Sequence, residues 1–200
     1  HQSSDRVAFE NLVRDADVYI QNFRPGTAER LGAGVRRLHE LNPRLVYCSI
    51  SGFGSSGPYA DRPSYDSVAQ ALSGFLSVVV DQDRPRFLGP ALADAITGIY
   101  AAFGVLGALF ERSRTGQGRH VEVSMLEAMA HFAVEPFAAF FALNQVPKSS
   151  DRPRLAQAYI LRTADRELIA IHLSSIEKFW QGLTTALDSE RLGADERFRT

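Results

Sequence analysis

Short apolar runs alternate with amphipathic stretches along the first part of the chain, a pattern typical of strands alternating with helices. Residues 5–14 place apolar side chains among charges at helical spacing, and residues 15–21 form a short run rich in β-branched and aromatic residues. A second helical stretch at 35–42 ends before Pro43, and residues 45–49 form a second apolar run. Strand, helix and strand in this order predict a parallel βαβ arrangement and therefore an α/β fold.

The middle of the chain joins a loop-like stretch to a long apolar one. Residues 51–64 hold three glycines and two prolines and predict a loop, while residues 65–80 predict a helix. Residues 88–110 carry one charged side chain, that of Asp94. Their length would suffice for a membrane span, but Gly89-Pro90 and several polar residues favour a helix buried in a soluble protein. Three glycines are expected to let neighbouring backbone pack closely on it: Gly98, Gly104 and Gly107.

The last third of the chain changes character. Residues 120–123 predict a strand, and Ser124 is expected to cap the helix that follows. Prolines and charges at 147–154 are typical of a linker. From Tyr159 the pattern becomes strand, turn and strand, followed by a helix around Trp180. This shift predicts a domain boundary.

Composition and charge narrow the function classes. The 200 residues hold 22 basic and 23 acidic side chains, so a net charge of −1 gives no simple argument for a nucleic-acid or anionic-membrane partner. Cys48 is the only cysteine, which excludes an internal disulfide, and the five histidines lack metal-ligand spacing. We therefore expect no metal site, and a cytoplasmic location is the default expectation.

Asp94 is the first candidate for chemistry. Near the start of its predicted helix, free peptide N–H groups and the helix dipole favour a carboxylate. The residue is either a simple charge in that first turn or a desolvated carboxylate that acts as nucleophile or base.

Two further stretches are candidates for ligand binding. The glycines of residues 52–57 match the spacing of a dinucleotide fingerprint, but Asp61-Arg62-Pro63 would break the helix that such a site needs. The turn at residues 22–26 follows a predicted strand, where ligands of α/β sheets bind. Its amide, its aromatic face and the guanidinium groups of Arg24 and Arg30 suit a nucleotide with phosphates. The alternative is an ordinary tight turn with solvated arginines.

The order of these motifs resembles the class III coenzyme A transferases, also called the CaiB/BaiF family. Residues 16–34, 42–74 and 92–128 carry the resemblance, which continues in residues 163–175 and 196–200. It implies a Rossmann-like parallel sheet with helices in residues 1–135, a linker in residues 136–157, and the start of a smaller α+β domain in residues 158–200. It also implies that the chain is the middle portion of a protein about twice as long.

The resemblance assigns roles to individual residues. Asp94 falls on the catalytic aspartate, and Tyr65 and Asp66 fall in the substrate pocket. The coenzyme A site is expected to include Asn22, Phe23, Arg24 and Arg30, together with a segment beside the thioester formed by Ser51, Gly52 and Phe53. Some transferases have lysine where Ser51 stands. No permanently bound cofactor is implied, because the coenzyme A thioester is itself a substrate.

The activity implied is transfer of coenzyme A from an acyl-CoA to a carboxylic acid, through an aspartyl anhydride and an aspartyl-CoA thioester, by an interlocked homodimer. α-Methylacyl-CoA racemases of the same family are the main alternative. They need a histidine where Tyr65 stands, and an unperturbed tyrosine is a poor base at neutral pH. A coenzyme A-binding partner without catalysis is a second alternative, and a dinucleotide-dependent oxidoreductase is a weaker third.

Overall fold

The computed structural model describes residues 3–87, 89–174 and 176–196. Leu88, Ser175 and most of the motif at residues 196–200 lie outside the described residues. The strands are Val18–Gln21 (β1), Val46–Ser51 (β2), His120–Ser124 (β3), Ala158–Arg162 (β4) and Leu168–His172 (β5). The helices are Ser3–Asp15 (α1), Thr27–Arg30 (α2), Val35–Leu41 (α3), Asp66–Leu72 (α4), Phe75–Val79 (α5), Leu92–Thr115 (α6), Met125–Phe132 (α7), Val134–Leu143 (α8), Asp151–Leu155 (α9), Ile176–Ala186 (α10) and Glu190–Ala194 (α11).

The first three strands form one parallel sheet in the order β1-β2-β3, which confirms the predicted α/β fold. Val18 pairs with Val46 and Tyr47 pairs with His120, so the carboxyl ends of all three strands lie at the same edge. Parallel strands cannot be joined by tight turns, and helices therefore make the crossovers. The turn after β1, the loop after β2 and the start of α7 meet at this edge.

Helices cover both faces of the sheet because its side chains alternate in direction. On one face, Val46 and Cys48 pack against Ala101, Val105 and Ala108 of α6. On the other face, α1 and α3 pack against β2 and the residue before it. This second cluster consists of Val13, Leu38, Leu45 and Tyr47.

Helix α6 confirms the predicted long helix, but with different bounds. The apolar stretch predicted it over residues 88–110, whereas it begins at Leu92 and continues through the charged residues 111–115. Gly116 ends it with a left-handed conformation (φ 72°), which glycine adopts at little cost. Its amino-terminal half packs on α4 and α7 through Ala69, Ile96 and Met129. This packing fixes the end of the helix that carries Asp94.

The single helix predicted over residues 65–80 is wrong. Two short helices, α4 and α5, occupy this stretch, and Gly74 separates them with φ 76°. A left-handed residue cannot continue an α-helix, so the chain changes direction there. The apolar pattern is common to both pieces and did not reveal the break.

The carboxyl-terminal part forms a separate antiparallel pair. Strands β4 and β5 pair from Ala158 opposite His172 to Arg162 opposite Leu168, with the predicted turn between them. Residues 136–157 hold most of α8 and all of α9. The linker and the domain boundaries at 135 and 158 remain predictions.

One helix of the described chain, α6, has the length and apolar composition of a membrane span, with 33% of its most apolar window buried. Helices α7 and α8 would pass the same test together, with a bend of 67° between them. The core helix of a soluble protein also passes this test, and α6 packs on the sheet along the face that contains Ala101 and Val105.

Candidate active site

A cleft of about 560 Å³ opens at the carboxyl edge of the parallel sheet. The turn after β1, the end of β2, the start of α4 and the first turns of α6 all contribute to its wall. Eight of the ten predicted site residues line it: Asn22, Phe23, Arg24, Ser51, Gly52, Tyr65, Asp66 and Asp94. These residues come from four separate stretches, so the fold brings together what the sequence only suggested as neighbours.

The turn at residues 22–26 is held by its own hydrogen bonds. The backbone N–H of Phe23 donates to Gln21 Oε1 at 2.7 Å, and the N–H of Thr27 donates to the carbonyl of Arg24 at 3.0 Å. Gly26 has φ 77°, which permits the abrupt entry into α2. The exposed side chains of Asn22, Phe23 and Arg24 therefore project from a short, fixed turn.

Arg30 lies one helical turn further along the chain and does not line the cleft. Its Nη2 donates to Thr27 Oγ1 at 2.8 Å, and the side chain is exposed. The remaining guanidinium N–H groups keep their capacity to bind an anion beside the turn.

The loop after β2 is ordered by a row of ring contacts. The rings of Phe53 and Tyr59 meet edge to face with centroids 5.5 Å apart, and the guanidinium of Arg62 lies 4.3 Å from the centre of the Tyr59 ring. Arg62 is part of the wall of the cleft, whereas Phe53, a predicted coenzyme A-binding residue, does not line it. Gly52 packs so tightly on Ser64 that an added Cβ would lie 2.3 Å from the Ser64 Cβ.

The glycines at residues 52–57 do not open into a helix. Turns and bends follow them, and the next helix begins at Asp66. A dinucleotide fingerprint needs a helix directly after its glycines, so that peptide N–H groups meet the pyrophosphate. The arrangement is that of a loop that approaches the cleft, as the breaking residues 61–63 predicted.

Asp94 lies in the first turn of α6 at the mouth of the cleft. The residue is exposed, so the predicted desolvation of its carboxylate is wrong for the described chain. Within the described residues, that carboxylate has no hydrogen-bond or ion-pair partner. Its oxygens are therefore open to contact with a molecule in the cleft.

Asp66 also borders the cleft, but both of its oxygens are engaged. Oδ1 accepts hydrogen bonds from the backbone N–H groups of Ala93 (2.7 Å) and Asp94 (3.3 Å), and Oδ2 accepts one from Gln70 Nε2 at 2.7 Å. Tyr65, directly before it, is 72% exposed. Of these two predicted pocket residues, Tyr65 is the one whose side chain is open to a ligand.

A smaller hollow of about 200 Å³ continues from the cleft, since Phe23, Arg24 and Ser51 border both. Ser49 Oγ and His120 Nε2 share a hydrogen bond of 2.7 Å on its wall. Burial raises the pKa of Tyr47, which also lines this hollow, to about 12. The phenol is therefore neutral at physiological pH.

Several residues of the cleft were missed by the sequence analysis. Thr97 and Gly98 follow Asp94 by three and four positions, a spacing that places them on the same helix face. Met125 comes directly after β3, at the carboxyl end of a parallel strand, where ligands of α/β sheets bind. Arg62 on the wall of the cleft and Gln70, which donates to Asp66, had no comparable signal, because only the folded loop and helix bring them to these positions.

Comparison with known proteins gives consistent matches. Residues 1–200 match the sequence profile described as CoA-transferase family III. An acetyl-CoA:oxalate CoA-transferase of Acetobacter aceti is 34% identical over 198 residues, which cover 97% of this chain and 50% of that protein. A succinate–glutarate CoA-transferase of Agrobacterium fabrum is 34% identical over 94% of this chain and 48% of its own length.

A solved structure shares the fold. The crystal structure of a CaiB/BaiF family protein from Brucella suis matches with a TM-score of 0.85 and 33% identity, covering 98% of this chain and 52% of that one. The chain thus spans about half the length of the curated relatives it matches.

Proposed function

The chain belongs to CoA-transferase family III, and from this premise we propose that it transfers coenzyme A from an acyl-CoA thioester to a carboxylic acid, with Asp94 as the nucleophile. The observation that carries the proposal is the free carboxylate of Asp94 at the mouth of a cleft whose wall includes Asn22, Phe23 and Arg24. The relatives described above are named for the same class of exchange between acids.

The exchange needs no oxidant and no net proton. The Asp94 carboxylate attacks the thioester carbonyl, the C–S bond breaks, and a mixed anhydride and the coenzyme A thiolate form. The thiolate then attacks the Asp94 carbonyl of the anhydride, which gives an aspartyl-CoA thioester and releases the donor acid. The acceptor carboxylate attacks the carbonyl of this thioester, the C–S bond breaks, and a second mixed anhydride and the coenzyme A thiolate form. The thiolate then attacks the acceptor carbonyl of that anhydride, which gives the acceptor acyl-CoA and releases the Asp94 carboxylate.

The position of Asp94 suits these steps. Its carboxylate must lose its charge in each covalent intermediate and regain it at the end, so it needs access to substrate without a fixed partner. An arginine or lysine paired with it would weaken it as a nucleophile. Because the cleft also exposes Asp94 to water, the bound thioester itself has to exclude water from the anhydride.

The turn after β1 supports binding of the coenzyme A portion. Phe23 offers an exposed ring face, and Arg24 and Arg30 offer guanidinium groups that match phosphate geometry. Ser51 and Gly52 border the cleft at the end of β2, where the thioester segment is proposed to lie. Phe53 follows this segment directly and packs against Tyr59 in the same loop.

The test is an exchange assay on the intact protein, with acetyl-CoA as donor and a panel of dicarboxylic acids as acceptors. Asp94→Asn is expected to lower kcat by at least about 10³-fold, because an amide is not a nucleophile here. Hydroxylamine added during turnover should leave a hydroxamate on Asp94, which mass spectrometry detects. Asp83→Asn, an exposed aspartate on the polar segment 81–87, is the matched control and should retain full activity.

Unchanged exchange by the Asp94→Asn protein would refute the assignment. The same protein preparation can be tested for racemase activity by incubation with a chiral 2-methylacyl-CoA in deuterium oxide. A racemase would incorporate deuterium at the α-carbon without any acid exchange. The exposed Tyr65 at the position of the racemase histidine favours transfer instead.

The active form is proposed to be a homodimer of the intact protein. One face of α6 supports a partner surface, since it leaves large apolar side chains in contact with solvent: Ile99, Phe103, Leu106 and Phe110. Such a stripe at helical spacing is rarely left uncovered in a soluble protein.

A further inference from the structure

The start of α6 lacks a cap of its own. Ala91 occupies the N-cap position, where a side chain would normally accept a hydrogen bond from the first free N–H groups, and alanine has no acceptor. Asp66 of α4 supplies the acceptor from another part of the chain, at 2.7 Å from the N of Ala93 and 3.3 Å from the N of Asp94. One of the two backbone N–H groups that donate to Asp66 is therefore that of Asp94, the nucleophile proposed above.

Asp66 is itself held in place. Its second oxygen accepts from Gln70 Nε2 at 2.7 Å, one helical turn along α4. Gln70 is 1% exposed, beside the packed residues Ala69, Ala93 and Met129 of the cluster that joins α4, α6 and α7. Both oxygens of Asp66 are therefore fixed, one to the start of α6 and one to the core.

An aspartate in the first turn of a helix commonly turns back to accept hydrogen bonds from free N–H groups of that turn. At Asp94 this would draw the carboxylate out of the cleft and engage its lone pairs. The N–H groups of Ala93 and Asp94 already donate to Asp66. The Asp94 carboxylate would therefore gain less hydrogen bonding by turning back toward them. Its freedom within the described residues agrees with this.

We propose that Asp66 is a positioning residue for Asp94: it caps α6 from α4 and thereby keeps the Asp94 carboxylate free and directed into the cleft. The inference rests on the proposed function of Asp94. It assigns Asp66 a role through the backbone of α6 rather than through contact with substrate. A misplacement of the reacting atom by about 1 Å can cost about 10²-fold in rate, so loss of this cap should act on turnover.

The experiment compares Asp66→Ala, Asp66→Asn and Asp66→Glu in the intact protein. Asp61→Ala, in the loop directly before α4, is the matched control. Asp66→Ala should lower kcat by about 30-fold, within the range expected for a displaced nucleophile, and change KM for acetyl-CoA by less than about 3-fold. Asparagine keeps an oxygen acceptor for the two amides and should restore kcat to within about 5-fold of wild type. Asp61→Ala should match wild type throughout.

Asp66→Glu keeps the charge but lengthens the side chain, so it decides the question if the alanine variant fails to fold. It should lower kcat at unchanged melting temperature, because the start of α6 must shift to accept the longer carboxylate. If Asp66→Glu and Asp66→Asn both retain wild-type kcat, the positioning role is refuted. A rise in KM with unchanged kcat would also refute it and would make Asp66 a substrate contact.

A second readout does not depend on catalysis. Hydrogen exchange of the peptide spanning residues 89–98 should become faster in Asp66→Ala and stay near wild type in Asp66→Asn and Asp61→Ala. If the wild-type protein shows no coenzyme A transfer but this exchange pattern appears, the proposed function fails while the cap is real. If transfer occurs and the exchange rates do not change, the cap itself is refuted.

Discussion

Tyr47 shows how one side chain couples the sheet to the helices around it. It is 2% exposed, its hydroxyl donates to the carbonyl of Ala33 at 3.0 Å, and its ring contacts those of Tyr19 and His120. The apolar run around residue 47 predicted burial of this strand. Nothing in the local pattern indicates that the phenol donates a hydrogen bond to a carbonyl fourteen residues earlier in the chain.

Stability at alkaline pH is expected to depend on this phenol. Burial raises the pKa of Tyr47 to about 12, whereas the unfolded chain titrates near the ordinary value of about 10. The folded state therefore keeps a proton that the unfolded state loses, so the free energy of unfolding falls as pH rises from 10 toward 12. The loss attributable to Tyr47 should reach about 1 kcal/mol by pH 11.

Urea unfolding at pH 8 and pH 11 tests this with Tyr47→Phe. At pH 8 the variant should be less stable by about 1 kcal/mol, because the Ala33 carbonyl loses its donor. At pH 11 the difference should disappear, since phenylalanine has no proton to lose. Tyr59→Phe, whose ring contacts survive the change, should follow wild type at both values. A stability difference that stays constant with pH would contradict the role of the Tyr47 phenol.

At the scale of one element, α6 separates what a pattern predicts from what packing decides. The sequence predicted close approach at Gly98, Gly104 and Gly107 alike. Only Gly104 meets that description, because a Cβ there would lie 2.7 Å from Val121 Cγ1 of β3, whereas the other two have no neighbouring atom within 4 Å in the described structure. Gly98 instead borders the cleft, and Gly107 is exposed.

Alanine substitutions at two of these glycines should have opposite effects. Gly104→Ala is expected to destabilise the protein by about 2 kcal/mol, because the stiff Val121 side chain must move. Gly107→Ala should stabilise it by up to about 1 kcal/mol, since alanine loses less backbone freedom in a helix. The measurement is the midpoint of urea unfolding for both variants. A loss at Gly107 would mean that another surface covers this part of α6 in the intact protein.

At the scale of the whole molecule, one face of α6 leaves large apolar side chains in contact with solvent. Its four large apolar residues are 64% to 76% exposed, while the opposite face of the same helix packs on the sheet. The chain spans about half the length of the curated relatives it matches, and the proposed homodimer would cover this face with a second copy.

The proposed homodimer predicts that the intact protein has twice the mass of one chain in light scattering after gel filtration. Phe103→Asp, at the most exposed of the four positions, should shift it to the monomer mass, because a carboxylate is costly to bury at an interface. Arg114→Asp, an exposed position near the end of the same helix, should leave the mass unchanged. A stable dimer of the Phe103→Asp protein would exclude this face from the interface.

The sequence by itself determined the classes of element and predicted much of the candidate site. Apolar runs with β-branched residues predicted the parallel strands. The turn at residues 22–26 was expected beside a ligand site because it follows a strand of a parallel sheet. A lone charge near the start of an apolar helix indicated Asp94 as a candidate for chemistry. These signals are local, because they depend on side chains within a few positions of each other.

Only the tertiary structure decided how distant residues meet. Asp66 and Asp94 are 28 positions apart, and nothing in either local pattern indicates that one accepts a hydrogen bond from the backbone of the other. The break at Gly74, the close contact at Gly104 and the position of Arg30 outside the cleft also depend on packing between elements. Local patterns constrain each element separately. The free N–H groups at the start of α6 could accept a cap from many parts of the chain. The packing of α4 against α6 brings Asp66 within hydrogen-bond distance of them.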